Sequence, residues 1–248
     1  MAGCIFSESR WAVCMRSDGK AMECRNQEGF TLVELMVAMA IAGLLVALVS
    51  LAYTSQSSTY NSQQDTLALQ QDMRSALQFL AKEIRMAGYD PRGDANAGIT
   101  VAMPTVCRFS QDESDGAGGE SDGDTSDPNE DIRYAINSSG SLGRETSGTG
   151  GLQPVAENVV RLLFEYRLDD GTWLPAVTTA KDRRRIRAVK IMIQGRSARE
   201  TARVADHSKM NPPLESASAP DWTPASPGRY HWRLMSLIVQ CRNLQIKK

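Results

Sequence analysis

The stretch GFTLVELMVAMAIAGLLVALVSLAY, residues 29–53, decides the fold class of this chain. Residues 30–53 contain one ionisable side chain, that of Glu34. At a rise of about 1.5 Å per residue, a helix of this length spans about 36 Å, and the hydrocarbon core of a bilayer is about 30 Å thick. The stretch therefore predicts a transmembrane helix over residues 30–53.

A cleaved secretory signal is the alternative interpretation of the same residues. Residues 38–40, Ala-Met-Ala, have the small-x-small form of a signal-peptidase site. The apolar run continues well beyond this site, whereas a signal peptide ends its apolar region before the cut. The pattern therefore favours a helix that stays in the chain.

The helix is predicted to continue to residue 86, with an amphipathic half over residues 54–89. Apolar residues recur there at the spacing of one helical face: Met73, Leu77, Leu80 and Ile84. Gly88 and Pro91 are helix-stop signals. We expect the apolar stripe to pack on the chain's own sheet rather than to serve only as a surface for partners.

Residues 90–248 are predicted to form a β-rich domain. Period-two alternation and turn signals predict strands over residues 132–136, 159–168, 172–174, 187–194 and 230–244. Residues 111–131 carry nine acidic side chains and no basic one, which predicts a loop outside the core. The Pro- and Ser-rich residues 205–228 are a second predicted loop. The predicted fold class is α+β, with a long N-terminal helix packed on a C-terminal antiparallel β-sheet.

Charge and motif content argue against nucleic-acid binding and against catalysis. The 28 basic and 29 acidic residues leave no basic excess. The sequence has no nucleophile elbow, phosphate loop or zinc signature. The basic run over residues 181–187 is predicted to be a solvated turn before a strand, the alternative being contact with lipid headgroups or an acidic partner. We expect no enzymatic activity and no nucleic-acid partner.

The junction at residues 29–34, GFTLVE, resembles the signal of type IV prepilins. In that signal a glycine precedes a phenylalanine, a glutamate is fifth in the mature chain, and an apolar helix follows. The resemblance implies that a prepilin peptidase cuts between Gly29 and Phe30 and methylates the amine of Phe30. Residues 1–29 would then be a cleaved leader, and because they show no sustained period we expect them to be disordered.

Two residues of the junction have chemistry that suits this processing. Gly29 lacks a side chain, so an extended backbone can enter a narrow protease cleft at little steric cost. Glu34 is costly in lipid, by about 2.5–3.5 kcal/mol at a helix centre and by less near its end. The amine of Phe30 on a neighbouring subunit would pair with it and fix the register of assembly. The alternative role for Glu34 is to offset the helix dipole.

Two later blocks, residues 77–89 and residues 233–244, resemble minor pilins of the PilW type. This resemblance implies a low-copy subunit that assists initiation and assembly at or near the pilus tip. The implied partners are prepilin peptidase, other minor and major pilins, the inner-membrane assembly platform and, before assembly, membrane lipid. The implied location is a single pass in the inner membrane with a periplasmic domain, and then the pilus fibre. The alternatives are a J-type minor pseudopilin of type II secretion and a membrane-anchored periplasmic binding protein.

Removal of residues 1–29 would leave two of the five cysteines, Cys107 and Cys241. An even pair in an oxidising compartment favours a disulfide. The alternative is two unrelated buried thiols.

The acidic loop suggests a metal site. Residues 120–131, ESDGDTSDPNED, place oxygen ligands at short spacing around a glycine, and calcium takes six to eight such oxygens. The spacing differs from that of the EF-hand. The candidate calcium ligands are Asp122, Asp124, Asp127 and Glu130, and the alternative is a solvated loop in a protein without a cofactor.

Overall fold

A computed structural model describes residues 13–15, 21–23, 29–113, 119–200, 222 and 228–245. The chain divides into two compact units, Met1–Ser57 and Ser58–Lys248. Helix α1 (Leu32–Met86) contributes residues to both units. Most of the leader and most of the loop predicted at residues 205–228 lie outside the described residues.

The described residues of the first unit form one pair of short strands and the beginning of α1. Strand β1 (Val13–Met15) pairs antiparallel with β2 (Ala21–Glu23). The expectation that residues 1–29 are disordered is therefore wrong for these six residues. The sequence between the strands contains Asp18-Gly19, a hairpin signal that the prediction overlooked.

The second unit contains two antiparallel sheets instead of the single sheet predicted. The first sheet has the order β3-β4-β5-β6-β7, with strands at Ile99–Ala102, Cys107–Ser110, Asp131–Ile136, Leu142–Thr146 and Thr149–Ala156. The second sheet has the order β11-β10-β8-β9, with strands at Trp232–Gln240, Ile186–Arg196, Val159–Leu168 and Trp173–Leu174. A short helix, α2 (Ala180–Arg183), precedes β10, and a 3-10 helix (Asn243–Gln245) follows β11. The α+β class, with a long helix and antiparallel strands, is confirmed.

The predicted strands correspond to β5 and to the whole second sheet, whereas β3, β4, β6 and β7 were missed. The sequences of β6 and β7 contain three glycines, two threonines and a proline, a composition more typical of a loop than of a strand. The proline is Pro154 of β7. Proline is tolerated because β7 is an edge strand, where its missing N–H breaks no ladder.

The amphipathic half of α1 packs in the core of the second unit, as predicted. Its stripe is buried: Met73 0%, Leu77 5%, Leu80 0% and Ile84 0% exposed. A Cβ built at Gly195 of β10 would lie 2.9 Å from both Leu69 Cδ1 and Met73 Sδ. The absence of a side chain at Gly195 therefore lets the helix approach the second sheet closely.

The acidic segment 111–131 enters the core at both of its ends, contrary to the prediction. Gln111, Asp112 and Glu130 are buried. The Gln111 amide donates to the Glu130 carbonyl at 2.9 Å, and the Asp112 amide donates to the Tyr89 carbonyl at 2.8 Å. These backbone hydrogen bonds continue beyond the end of β4, and they hold the polar side chains of this segment inside the core.

Candidate functional site

The predicted cleavage junction lies immediately before helix α1. Thr31 caps the helix, because its hydroxyl accepts a hydrogen bond from the Glu34 amide at 3.2 Å and its carbonyl accepts from the Leu35 amide at 3.1 Å. Gly29 and Phe30 therefore precede the first helical turn. Both are exposed, and no described atom lies within 4 Å of a Cβ built at Gly29.

Thr31 is a functional residue of the junction that the sequence reasoning missed. The signal that identifies it is the spacing of Thr31 and Glu34, which matches the S/T-x-x-E pattern of a capping box. The cap fixes where the helix begins, and it leaves the Gly29–Phe30 bond outside the helix. A peptidase can therefore reach this bond without unwinding a helical turn.

Within the described residues, α1 is the one helix long and apolar enough to cross a membrane. The most apolar part of this helix is not buried in the protein. Two hydroxyl groups at the end of the apolar run donate to carbonyls of the helix itself: Ser50 Oγ to the Val46 carbonyl at 2.8 Å, and Thr54 Oγ1 to the Leu51 carbonyl at 3.0 Å. These groups therefore need no water when the helix lies in lipid or among other helices.

A polar clamp fixes the second half of α1 to the first sheet. Arg144 Nε donates to the Glu83 carboxylate at 3.0 Å, and a terminal nitrogen of the same guanidinium forms an ion pair with Glu83 at 2.9 Å. The Tyr134 hydroxyl donates to the same carboxylate. Burial and, next, the charge of Glu83 raise the pKa of Tyr134, which therefore stays protonated as a donor.

Residues 77–89 and residues 233–244 meet at the C-terminal end of α1. Asn243 Nδ2 donates to the Arg85 carbonyl at 3.2 Å and to the Met86 carbonyl at 3.4 Å. Gly88 adopts a φ of +80°, and a Cβ there would collide with the Leu244 side chain. A residue near the end of the chain thus supplies hydrogen bonds to the last carbonyls of a helix that began near its start.

Cys107 and Cys241 lie in the same core cluster and are free thiols in the structure. Burial raises the pKa of each thiol to about 12, and the proximity of Cys107 contributes to the shift at Cys241. The Tyr166 side chain hydrogen-bonds to Cys107. The disulfide stays a prediction, and the structure places its two partners in one buried cluster.

Three of the four calcium ligands predicted from the sequence accept hydrogen bonds from within the loop: Asp122, Asp124 and Glu130. Asp122 Oδ1 accepts from the Asp124 amide at 3.0 Å, and Asp124 Oδ1 accepts from the Ser126 amide at 2.8 Å. Buried Glu130 accepts from the Asp127 amide at 3.3 Å. Within the described part of the chain these four do not form a group of converging carboxylates. This ligand set stays a prediction.

The basic run at residues 181–187 contains the helix α2 and the turn into β10. Arg185 forms ion pairs with Asp169 and Asp170 at 2.9 Å and with Asp182 at 3.4 Å. These internal pairs favour the interpretation as a solvated turn over a lipid-binding patch.

Comparison with known proteins agrees with the geometry of the N-terminal junction. The family model described as the prokaryotic N-terminal methylation motif matches residues 24–50. No curated protein sequence matches the chain. A solved type IV-like pilin from Thermus thermophilus is similar at 18% identity and a TM-score of 0.49, over 70% of this chain and 97% of that one. At that level of likeness, the fold description depends on the helix and sheets themselves.

The chain therefore carries the N-terminal methylation motif of type IV prepilins. This motif implies processing by prepilin peptidase and assembly with other pilins. It also fits a membrane-anchored precursor whose apolar helix later enters a filament.

Proposed function

We propose that the chain is a minor structural subunit of a type IV pilus that assists initiation and assembly at or near the tip. The observation that carries the proposal is the methylation motif at the start of a helix whose apolar residues 30–53 are exposed all round. An exposed apolar surface of this extent needs lipid or neighbouring helices. A prepilin subunit has both in succession, first the bilayer and then the filament core.

Cleavage creates a positive amine on Phe30, one residue before the cap at Thr31. The partial positive charge of the helix N-terminus makes that position unfavourable for a cation unless a carboxylate is near. Glu34 lies in the first turn and is exposed, so it is available to the Phe30 amine of an adjacent subunit. Pairing of the two groups would leave neither charge alone in an apolar filament core.

The minor, PilW-type assignment is supported by the two blocks that meet at the end of α1. We place the protein in the inner membrane, with residues 90–248 in the periplasm, and then in the fibre. Its partners would be other minor and major pilins and the assembly platform. A structural role also agrees with the expectation of no catalysis.

The decisive experiment is intact-mass and N-terminal analysis of the protein recovered from membranes and from sheared fibres. The expected N-terminus is an N-methylated Phe30. A chain that retains residues 1–29 in both fractions would overturn the proposal. Gly29→Val should block cleavage, whereas Gly43→Val should leave it intact, since the sites around both glycines are open and only Gly29 adjoins the scissile bond.

Separate experiments test whether the chain is a minor subunit and whether it belongs to a pilus rather than to a secretion pseudopilus. Deletion of the gene should reduce the number of surface pili, and immunogold labelling should mark few sites near fibre tips. Dense labelling along the whole fibre would instead indicate a major subunit. Loss of protein secretion with normal pili would favour the J-type pseudopilin.

A further inference from the structure

Three aspartates converge just beyond the end of helix α1. Asp90, Asp94 and Asp112 each offer a carboxylate oxygen, and these three oxygens lie within 4.8 Å of one another. Asp90 and Asp94 belong to the loop after the helix, and Asp112 follows β4. The hydrogen bond from the Asp112 amide to the Tyr89 carbonyl, at 2.8 Å, holds the two segments side by side.

Burial distinguishes this cluster from an ordinary acidic surface. Asp112 is 0% exposed, and its Oδ1 atom accepts no hydrogen bond from the residues that the structure describes. Its other oxygen, Oδ2, accepts from the Ser121 hydroxyl at 2.7 Å. A buried carboxylate oxygen without a donor is costly, and proteins rarely retain one without a water, an ion or a functional reason. A bound cation would satisfy Oδ1 and would offset the repulsion among the three carboxylates.

A nearby guanidinium supplies only part of the balancing charge. Arg92 Nε lies 3.7 Å from Asp94 Oδ2, and both side chains are more than half exposed. An exposed pair at this distance is weak. The acidic group of Asp169, Asp170 and Asp182 is different, because Arg185 lies within 2.9–3.4 Å of all three.

We propose that Asp90, Asp94 and Asp112 bind a calcium ion that joins the end of α1 to the acidic loop. All three ligands are oxygens on loops, which is the ligand type and flexibility that calcium favours. Oxygens on opposite sides of a calcium ion are about 4.6–5.2 Å apart, since each lies about 2.3–2.6 Å from it. The three carboxylate oxygens lie within 4.8 Å of one another, so they are close enough to bind one calcium ion. Backbone carbonyls or water would complete the coordination.

The acidic loop contacts this site through two residues. Ser121 donates to Asp112, as described, and the Ser121 carbonyl accepts from Arg92 at 3.4 Å. Gly123, at a φ of +96°, lies so close to Asp94 that a Cβ there would be 2.6 Å from Asp94 Oδ1. The loop therefore covers the aspartates, although its own carboxylates at Asp122 and Asp124 are not among the ligands proposed here.

The test uses the full-length mature chain, purified in detergent and stripped of metal with a chelator. Calcium chloride at a hundredfold excess over Kd should raise Tm by about 5–10 °C. Magnesium at the same concentration should raise Tm less, because it demands a regular octahedron and dehydrates reluctantly. Isothermal titration with calcium alone should give one site per chain.

The variants distinguish this ligand set from the one that the sequence suggested. Asp94→Asn is at an exposed position and should fold normally while losing at least tenfold in calcium affinity. Asp112→Asn should lose the calcium-dependent shift as well, and if it does not fold, Asp94→Asn and Asp90→Asn decide the question. The matched control is Asp122→Asn with Asp124→Asn, which should keep the wild-type shift.

Three outcomes would overturn the proposal. The first is a wild-type Tm that does not change with millimolar calcium. The second is an unchanged calcium affinity in Asp94→Asn. The third is loss of the shift in the Asp122→Asn and Asp124→Asn control, which would move the site into the loop.

Discussion

The two halves of helix α1 have the same secondary structure but opposite surroundings. Over residues 32–56 every apolar side chain is exposed, whereas over residues 69–84 seven side chains are buried in the core. An isolated helix in water has only marginal stability unless it packs against other elements. The second half is stabilised by its own domain, and the first half depends on lipid or on neighbouring subunits.

The largest expected difference between the halves is at matched leucines. Leu80→Ala should lower the free energy of unfolding by about 2–5 kcal/mol, because it empties a fully buried site. Leu45→Ala, at a position 55% exposed, should change it by less than about 0.5 kcal/mol. Guanidinium titrations of the purified chain in detergent, followed by near-UV circular dichroism, would measure both. Equal effects would contradict the contrast between the halves.

The core around the second half also contains the two thiols, which permits a redox test. If Cys107 and Cys241 are bonded, reduction should destabilise the domain by about 2–4 kcal/mol. Mass spectrometry after alkylation without reductant would show whether the thiols are free.

The pH dependence of the reduced form gives an independent measure of the same pair. The folded-state thiol pKa values, about 12, lie above the ordinary value of 9.0. The stabilisation from protonated thiols is therefore complete below pH 9 and is lost as the pH rises toward 12. The oxidised protein and a Cys107→Ala, Cys241→Ala variant should lack the part of the alkaline loss that the thiols cause. They should keep the part caused by Tyr134 and Tyr166, because burial raises the pKa of both hydroxyls. A reduced protein whose alkaline loss does not exceed that of the double variant would show that the thiols are not buried.

The two glutamates of α1 should separate stability from assembly. Glu83→Gln should lower the unfolding free energy by about 1.5–3 kcal/mol, because it weakens charged hydrogen bonds to Arg144. Glu34→Gln should leave unfolding of the domain unchanged and should reduce incorporation into fibres. Unfolding curves and sheared-fibre immunoblots measure the two effects, and the comparison fails if both variants lose stability equally.

The smallest expected effects are at the two ends of the helix. Asn243→Ala should cost about 0.5–1.5 kcal/mol of global stability, since it removes hydrogen bonds that tie β11's end to the helix C-terminus. Thr31→Ala removes the N-cap, which is worth about 1 kcal/mol. This loss should appear only as faster hydrogen exchange in the first turn. A shift of the domain's unfolding midpoint in Thr31→Ala would contradict the view that only the C-terminal end of the helix contributes to the stability of the domain.

Periodicity in the sequence was enough to predict the helix, its buried stripe and the strands of the second sheet. Apolar residues such as Val189 and Ile191 alternate at a period of two, and this pattern survives whatever lies around them. Strands β6 and β7 have no such pattern. Strand β6 is held by pairing with β5, and β7 by pairing with β6. Such pairing depends on tertiary context rather than on local composition.

The candidate site divides in the same way. Gly29, Phe30 and Glu34 are recognisable from the sequence because they lie in one short contiguous segment that matches the methylation motif. The convergence of Asp90, Asp94 and Asp112 left no trace in the spacing, since one of the three lies across a turn and two strands from the others. The ligand set that the short spacing of the loop's aspartates suggested stays a prediction.

By itself the sequence determined that this chain has a methylation motif, a helix of membrane-spanning length and an amphipathic continuation. Each of these is encoded in neighbouring residues. Only the tertiary structure decided the division into two sheets, the clamp on Glu83 and the burial of Asp112. These features join residues that are far apart in the chain, and the local sequence pattern does not show which distant side chains will be in contact.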